Sequence, residues 1–126
     1  MSTKLIIITQ ISNFINDLNT SFPDNSDIKI FKEKFILLKG INSQLIIDYL
    51  IKFIYPYKDK IMKEDVLFFL EGGGQEKIND TSGLNLRDNI RGLWINELSN
   101  ENKKIVWKYF KTFILLLDKY IVENVK

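Results

Sequence analysis

The chain has 126 residues, 45% of them apolar and 27% charged, a balance that suits one soluble globular domain and excludes global disorder. With 18 basic and 16 acidic residues the formal net charge is +2, too even for a dedicated nucleic-acid binder, though not for a local basic patch. Cysteine and histidine are both absent, which excludes disulfides, zinc–thiolate sites and thiol catalysis and removes the commonest general base and transition-metal ligand.

Leu5, Ile8, Ile11, Phe14, Ile15 and Leu18 recur at helical spacing and predict a first helix from about Lys4 to Asn19. The apolar run Leu5–Ile8 is too short for a signal-peptide core or a membrane span. Pro23 and Asp24-Asn25 mark a turn. Asp24, Ser26 and Asp27 lack the glycine and the distant glutamate of a calcium loop, so capping is the expected role. A second helix is predicted over Asp27 to Lys39, with Ile28, Phe31, Phe35 and Leu38 inward and Gly40 ending it. Asn42 or Ser43 then caps a third, with Leu45, Ile46, Tyr49, Leu50 and Phe53 on one face and Pro56 as its stop.

Tyr57 to Lys63 is polar apart from Ile61 and Met62. Glu64 to Leu70 predicts a short, very apolar helix, because no partner strand is in sight for a β reading. Glu71 to Gly83, with Gly72-Gly73-Gly74, predicts a long mobile loop. The glycines are not a phosphate cradle: Gln75-Glu76 stand where a P-loop carries Lys and Ser or Thr.

Ile90, Leu93 and Trp94 predict a shorter helix joined by a tight Glu97-Leu98-Ser99 connection to the longest one. Ser99 or Asn100 caps that last helix, with Glu101 in its first turn. Its stripe is Val106, Phe110, Phe113, Leu117 and Ile121, widened by Ile105, Tyr109, Leu116 and Tyr120 on one side and by Ile114 on the other. So broad an apolar arc predicts a helix packed on more than one side. Lys104, Lys108 and Lys111 share its other face, with Trp107 and Leu115 beside them. Such a face suits a protein contact in which Trp107 is the anchor and the lysines form the rim. A lysine stripe with an aromatic also suits a nucleic-acid surface. A third reading buries Trp107 under the first or third helix. The carboxylates are scattered, Asp48, Glu97, Glu101 and Asp118 are expected at solvent-facing or capping positions, and nothing selects a catalytic pair.

Trp94, Leu98-Ser99, Glu101-Asn102-Lys103, Ile105, Trp107 and Tyr109 resemble the closing segment of uncharacterised helical proteins of large DNA viruses that infect protists, mimivirus relatives among them. The resemblance covers about the last third of the chain, and Phe110 stands where a leucine is expected. It implies a helical fold and a setting in a virion or host cell, and it brings no activity, cofactor or catalytic residue. The absence of alanine and the abundance of Ile, Lys and Asn fit an AT-rich coding genome.

The expected architecture is a single all-α domain over residues 1–126, a compact bundle of about five or six helices with the long apolar C-terminal helix at its centre. The expected function is that of a non-enzymatic interaction module without metal or cofactor, meeting a protein partner or a second copy through Lys104, Trp107, Lys108, Lys111 and Leu115. The alternative is a nucleic-acid-binding module on the same lysine face. A cysteine-free chain also suits a reducing intracellular compartment.

Overall fold

The computed structural model describes residues 2–71 and 84–124. Helix α1 spans Thr3–Ser21, and the Ser2 hydroxyl caps it by accepting the Leu5 N–H at 3.2 Å. Its core face is Ile7, Ile8, Ile11, Phe14, Ile15 and Leu18. Leu5 lies in the first turn and stays half exposed, and Ile7, one turn before Ile11, takes a core place instead. Asn25 begins α2 (Ser26–Asn42), its side chain accepting the Ile28 N–H at 3.1 Å.

Gly40 does not end α2. It lies inside the helix, which runs on to Asn42, and α3 (Gln44–Phe53) starts after the single helical-geometry residue Ser43. The cap rests on Asn42, which accepts the Gln44 N–H at 3.1 Å and so marks the bend. Pro56 stops α3 as expected and sits in a 3-10 turn, Tyr55–Tyr57.

The segment read as polar connection contains a further short helix, α4 (Lys58–Met62), anchored by the fully buried Ile61. Glu64 ends it in the left-handed conformation, φ 55°. The Glu64 N–H donates to the Ile61 carbonyl at 3.0 Å and the Asp65 N–H to the Lys60 carbonyl at 2.9 Å, the pattern that satisfies the last carbonyls of a helix. Helix α5 is one turn, Leu67–Leu70, and gives the core Phe68 and Phe69. The expected loop beyond Glu71 lies outside the described residues.

Helix α6 (Leu86–Asn96) leads through the expected tight turn into α7 (Asn100–Asn124), but the two do not pair along their length as a hairpin, because α6 packs on α2 and α5 instead. Glu97 and Leu98 both donate to the Leu93 carbonyl, at 2.8 and 2.9 Å, and the Ser99 hydroxyl accepts the Asn102 N–H at 3.1 Å. The described residues are all-α, with five helices of ten residues or more and two short ones.

α7 is the central element. α1 lies along it and α4 touches it from another side. One aromatic cluster runs through α7. Phe110 meets Phe14 of α1 at 5.7 Å and Phe69 of α5 at 5.2 Å. Phe69 in turn stacks on Trp94 of α6 at 4.8 Å. These offset and edge-on pairs add to the area they bury. The buried arc of α7 is Val106, Trp107, Phe110, Phe113, Ile114 and Leu117. It is rotated toward α5 and α6 relative to the expected stripe, so Ile105 is half exposed.

Arg87 holds α6 onto α5. It is buried, its Nε donates to the Phe68 carbonyl, and Nη2 donates to the Glu71 carbonyl at 3.0 Å. The guanidinium also lies 4.5 Å from the Tyr57 ring centre and 4.7 Å from that of Phe68. Among the described residues, carbonyls left free at the end of α5 take the place of a counter-ion.

Candidate interaction surfaces

The five residues expected to form an interface share one place. Lys104, Lys108, Lys111 and Leu115 border a groove of about 450 Å³ on the outer side of α7, with Trp107 at its floor and Glu64 on its far bank. Lys111 is pinned across it to Glu64 at 2.6 Å. Lys104 and Lys108 are exposed and have no ion pair among the described residues.

Trp107 is not the surface anchor it was expected to be. Only 5% of it is exposed. The covering elements are α5 and α6 rather than the first or third helix: the Phe69 ring lies 5.0 Å away and the Trp94 ring 5.3 Å. The physical reason is local. α5 packs Phe69 into the angle between α6 and α7, and the indole closes that angle. Lys103, which flanks the lysine face, covers Trp94 instead, at 5.4 Å. The groove therefore keeps its basic rim but lacks an exposed aromatic.

The outward face of α2 has the opposite character. Ile36, Leu37 and Ile41 are 56%, 60% and 72% exposed, and Ile30, one heptad before Leu37, is 50% exposed. Gly40 is four residues from Ile36 and three from Leu37, and Leu37 is four from Ile41, so these exposed branched side chains lie around it on one side of the helix. A β-carbon at Gly40 would meet nothing within 4 Å. Its backbone is ordinary right-handed helix. No close neighbour in the fold explains a glycine there, in the last turn of α2, where it costs up to ~1 kcal/mol relative to alanine. The sequence carried a signal for this patch: Phe35-Ile36-Leu37-Leu38 has more apolar residues than one buried stripe can use.

Polar pairs tie α7 to the start of the chain and to its middle. The Thr3 hydroxyl bonds the Glu123 carboxylate at 2.8 Å. Asp118, expected on a solvent-facing position, is half-buried and accepts from Lys58 Nζ at 2.8 Å and from the Tyr55 hydroxyl at 2.5 Å. Those two bonds, the lysine's first, hold its carboxyl below the usual carboxylate range, and the bond to Asp118 raises the Tyr55 hydroxyl. Between α1 and α7 the Tyr109 hydroxyl donates to Asp17. Burial, then this bond, pushes Tyr109 up to about 12.

Among the described residues no three or more acidic side chains come together to hold a metal ion, and no helix is long and apolar enough to cross a membrane. No protein-family model, curated protein or solved structure matches the chain.

Proposed function

We propose that this chain is a non-enzymatic interaction module that works by self-association, and that the outer face of α2 is its contact. The observation that carries the reading is Gly40, a glycine in the last turn of α2 beside exposed Ile36, Leu37 and Ile41. Glycine costs helix stability but lets a second helix approach closely. These branched side chains next to Gly40 carry no charge, and Glu33 and Lys34, both exposed, border the patch one turn before Leu37. An uncharged, apolar surface complements its own copy better than a charged partner. Two α2 helices crossing at Gly40 would bring glycine to glycine about a two-fold axis and cover the three branched side chains of each copy. Few residues are involved, so the expected dimer is weak and concentration-dependent. The resemblance of the α6–α7 segment to viral proteins points to a virion or an infected cell as the setting.

The lysine face of α7 supports a second reading. Lys104 and Lys108, one turn apart and without ion pairs among the described residues, could neutralise phosphates of a nucleic acid. The buried indole of Trp107 offers no base-stacking platform there, which favours self-association.

Sedimentation velocity over a hundredfold concentration range tests the proposal. Wild type is expected to shift toward a dimer, and the Leu37→Lys, Ile41→Lys double variant to remain monomeric with unchanged helicity. Wild type that stays monomeric, or a variant that still dimerises, overturns it. A salt-sensitive shift with DNA, lost in Lys104→Glu, would favour the second reading.

A further inference from the structure

A separate pocket lies between the C-terminal end of α1, the turn before α7 and the first turns of α7. It holds about 220 Å³. Phe14, Leu18, Phe22, Leu98, Ile105 and Val106 make its walls apolar. Its polar lining residues are Asp17, Thr20, Ser21, Asn102 and Tyr109. No lysine or arginine lines it, although the chain carries more basic than acidic residues. Asp17, which is exposed, is thus its one charged group, and with Ile105 and Tyr109 it also lines an adjoining pocket that Lys108 borders. The Asp17 carboxylate is held in place by the Tyr109 hydroxyl and has no ion pair among the described residues.

We propose that this pocket binds a small organic cation: a compact apolar body, aromatic or branched, bearing a protonated amine. The apolar body fills the space among Phe14, Leu18 and Val106, where it displaces water from six apolar side chains. The ammonium reaches Asp17 at the mouth. A carboxylate has about four acceptor positions, so Asp17 accepts from the ammonium while it still accepts from Tyr109. The Tyr109 bond fixes the rotamer of Asp17 before a ligand arrives, and less freedom is lost on binding. Tyr109 stays protonated across the working range, so it remains a donor and never a competing anion. The sign of the charge is the selective element. An anionic ligand of the same shape would place its carboxylate beside that of Asp17 and lose the charge-assisted bond, a difference of roughly tenfold or more in affinity. This site is independent of the α2 patch and does not rest on self-association.

The test uses phenethylamine and 3-phenylpropionate, which share an apolar body and differ in charge. Each is titrated into the 15N-labelled full chain, wild type and Asp17→Asn, while backbone amide shifts are followed. Asparagine keeps an acceptor for Tyr109, and a circular dichroism spectrum checks that the fold is retained. The expected result is saturable binding of phenethylamine, at least tenfold tighter than 3-phenylpropionate, with shifts centred on residues 14–22 and 98–109. In Asp17→Asn that preference disappears while both ligands bind weakly through the apolar walls. Equal affinity for the two ligands in wild type overturns the proposal. So does a preference that survives in Asp17→Asn, or shifts centred elsewhere. Absence of saturable phenethylamine binding overturns it as well.

Discussion

Replacing Trp107 with alanine should be among the most damaging single changes in this chain. The indole is 5% exposed, and the rings of Phe69 and Trp94 lie 5.0 and 5.3 Å from it. Truncating a buried aromatic to alanine costs ~3–5 kcal/mol through lost transfer energy and the cavity left behind. The two ring pairs account for ~0.5–1.5 kcal/mol each within that sum. Domains of this size have a total stability of about 5–15 kcal/mol, so the variant should lose a fifth or more of it. At ~3–5 °C per kcal/mol, the melting temperature should fall by roughly 10–25 °C. Urea unfolding followed by circular dichroism at low protein concentration measures this without interference from self-association. Leu115→Ala, on the same side of α7 but 59% exposed, is the control and should stay within ~0.5 kcal/mol of wild type. If Trp107→Ala loses less than ~1 kcal/mol, the indole is not part of the core, and the original expectation of a surface anchor on α7 returns.

Two further outcomes follow from the buried arginine and the ion pair on α7. Arg87→Lys should be nearly as damaging as Arg87→Met, each losing at least ~2 kcal/mol, because a point charge cannot serve two carbonyls and two rings at once; urea melts placing the lysine variant within ~0.5 kcal/mol of wild type would contradict this. Asp118 has a depressed folded-state pKa, so its stabilisation is present above the unfolded value of about 3.9 and is lost as pH falls through the folded value. The stability gap between wild type and Asp118→Asn should therefore be constant near neutrality and close in acid; a gap independent of pH would show that the carboxylate's charge has no part in it.

Much of the fold was legible because the chain repeats one device, an apolar stripe bounded by a short polar cap. Ser99 at the start of α7 and Pro56 after α3 did what local chemistry dictates. The failures came where tertiary packing decides. Gly40 has the chemistry of a helix terminator, yet the helix continues two residues past it, with Phe35 and Leu38 packed on the core side and Asn42 accepting the first N–H of α3. α4 escaped notice because a five-residue helix buries a single side chain, Ile61, and one residue makes no period. Trp107 was misplaced because its angle from the stripe is only informative once the neighbours are known. α5, four residues long, supplies the Phe69 that covers it. The α1–α7 pocket was not legible at all, since Asp17 and Tyr109 are 92 residues apart.

The central claim is that Gly40 is kept open for a second copy, and Gly40→Ala tests it with two readings on one variant. In the isolated chain alanine is the better helix former and its β-carbon enters empty space, so monomer stability should rise by ~0.5–1 kcal/mol. In the dimer the same β-carbon stands between two crossing helices, so sedimentation equilibrium should show association weakened by tenfold or more. A more stable monomer that no longer pairs is the predicted result. A more stable monomer that pairs as well as wild type would contradict the account.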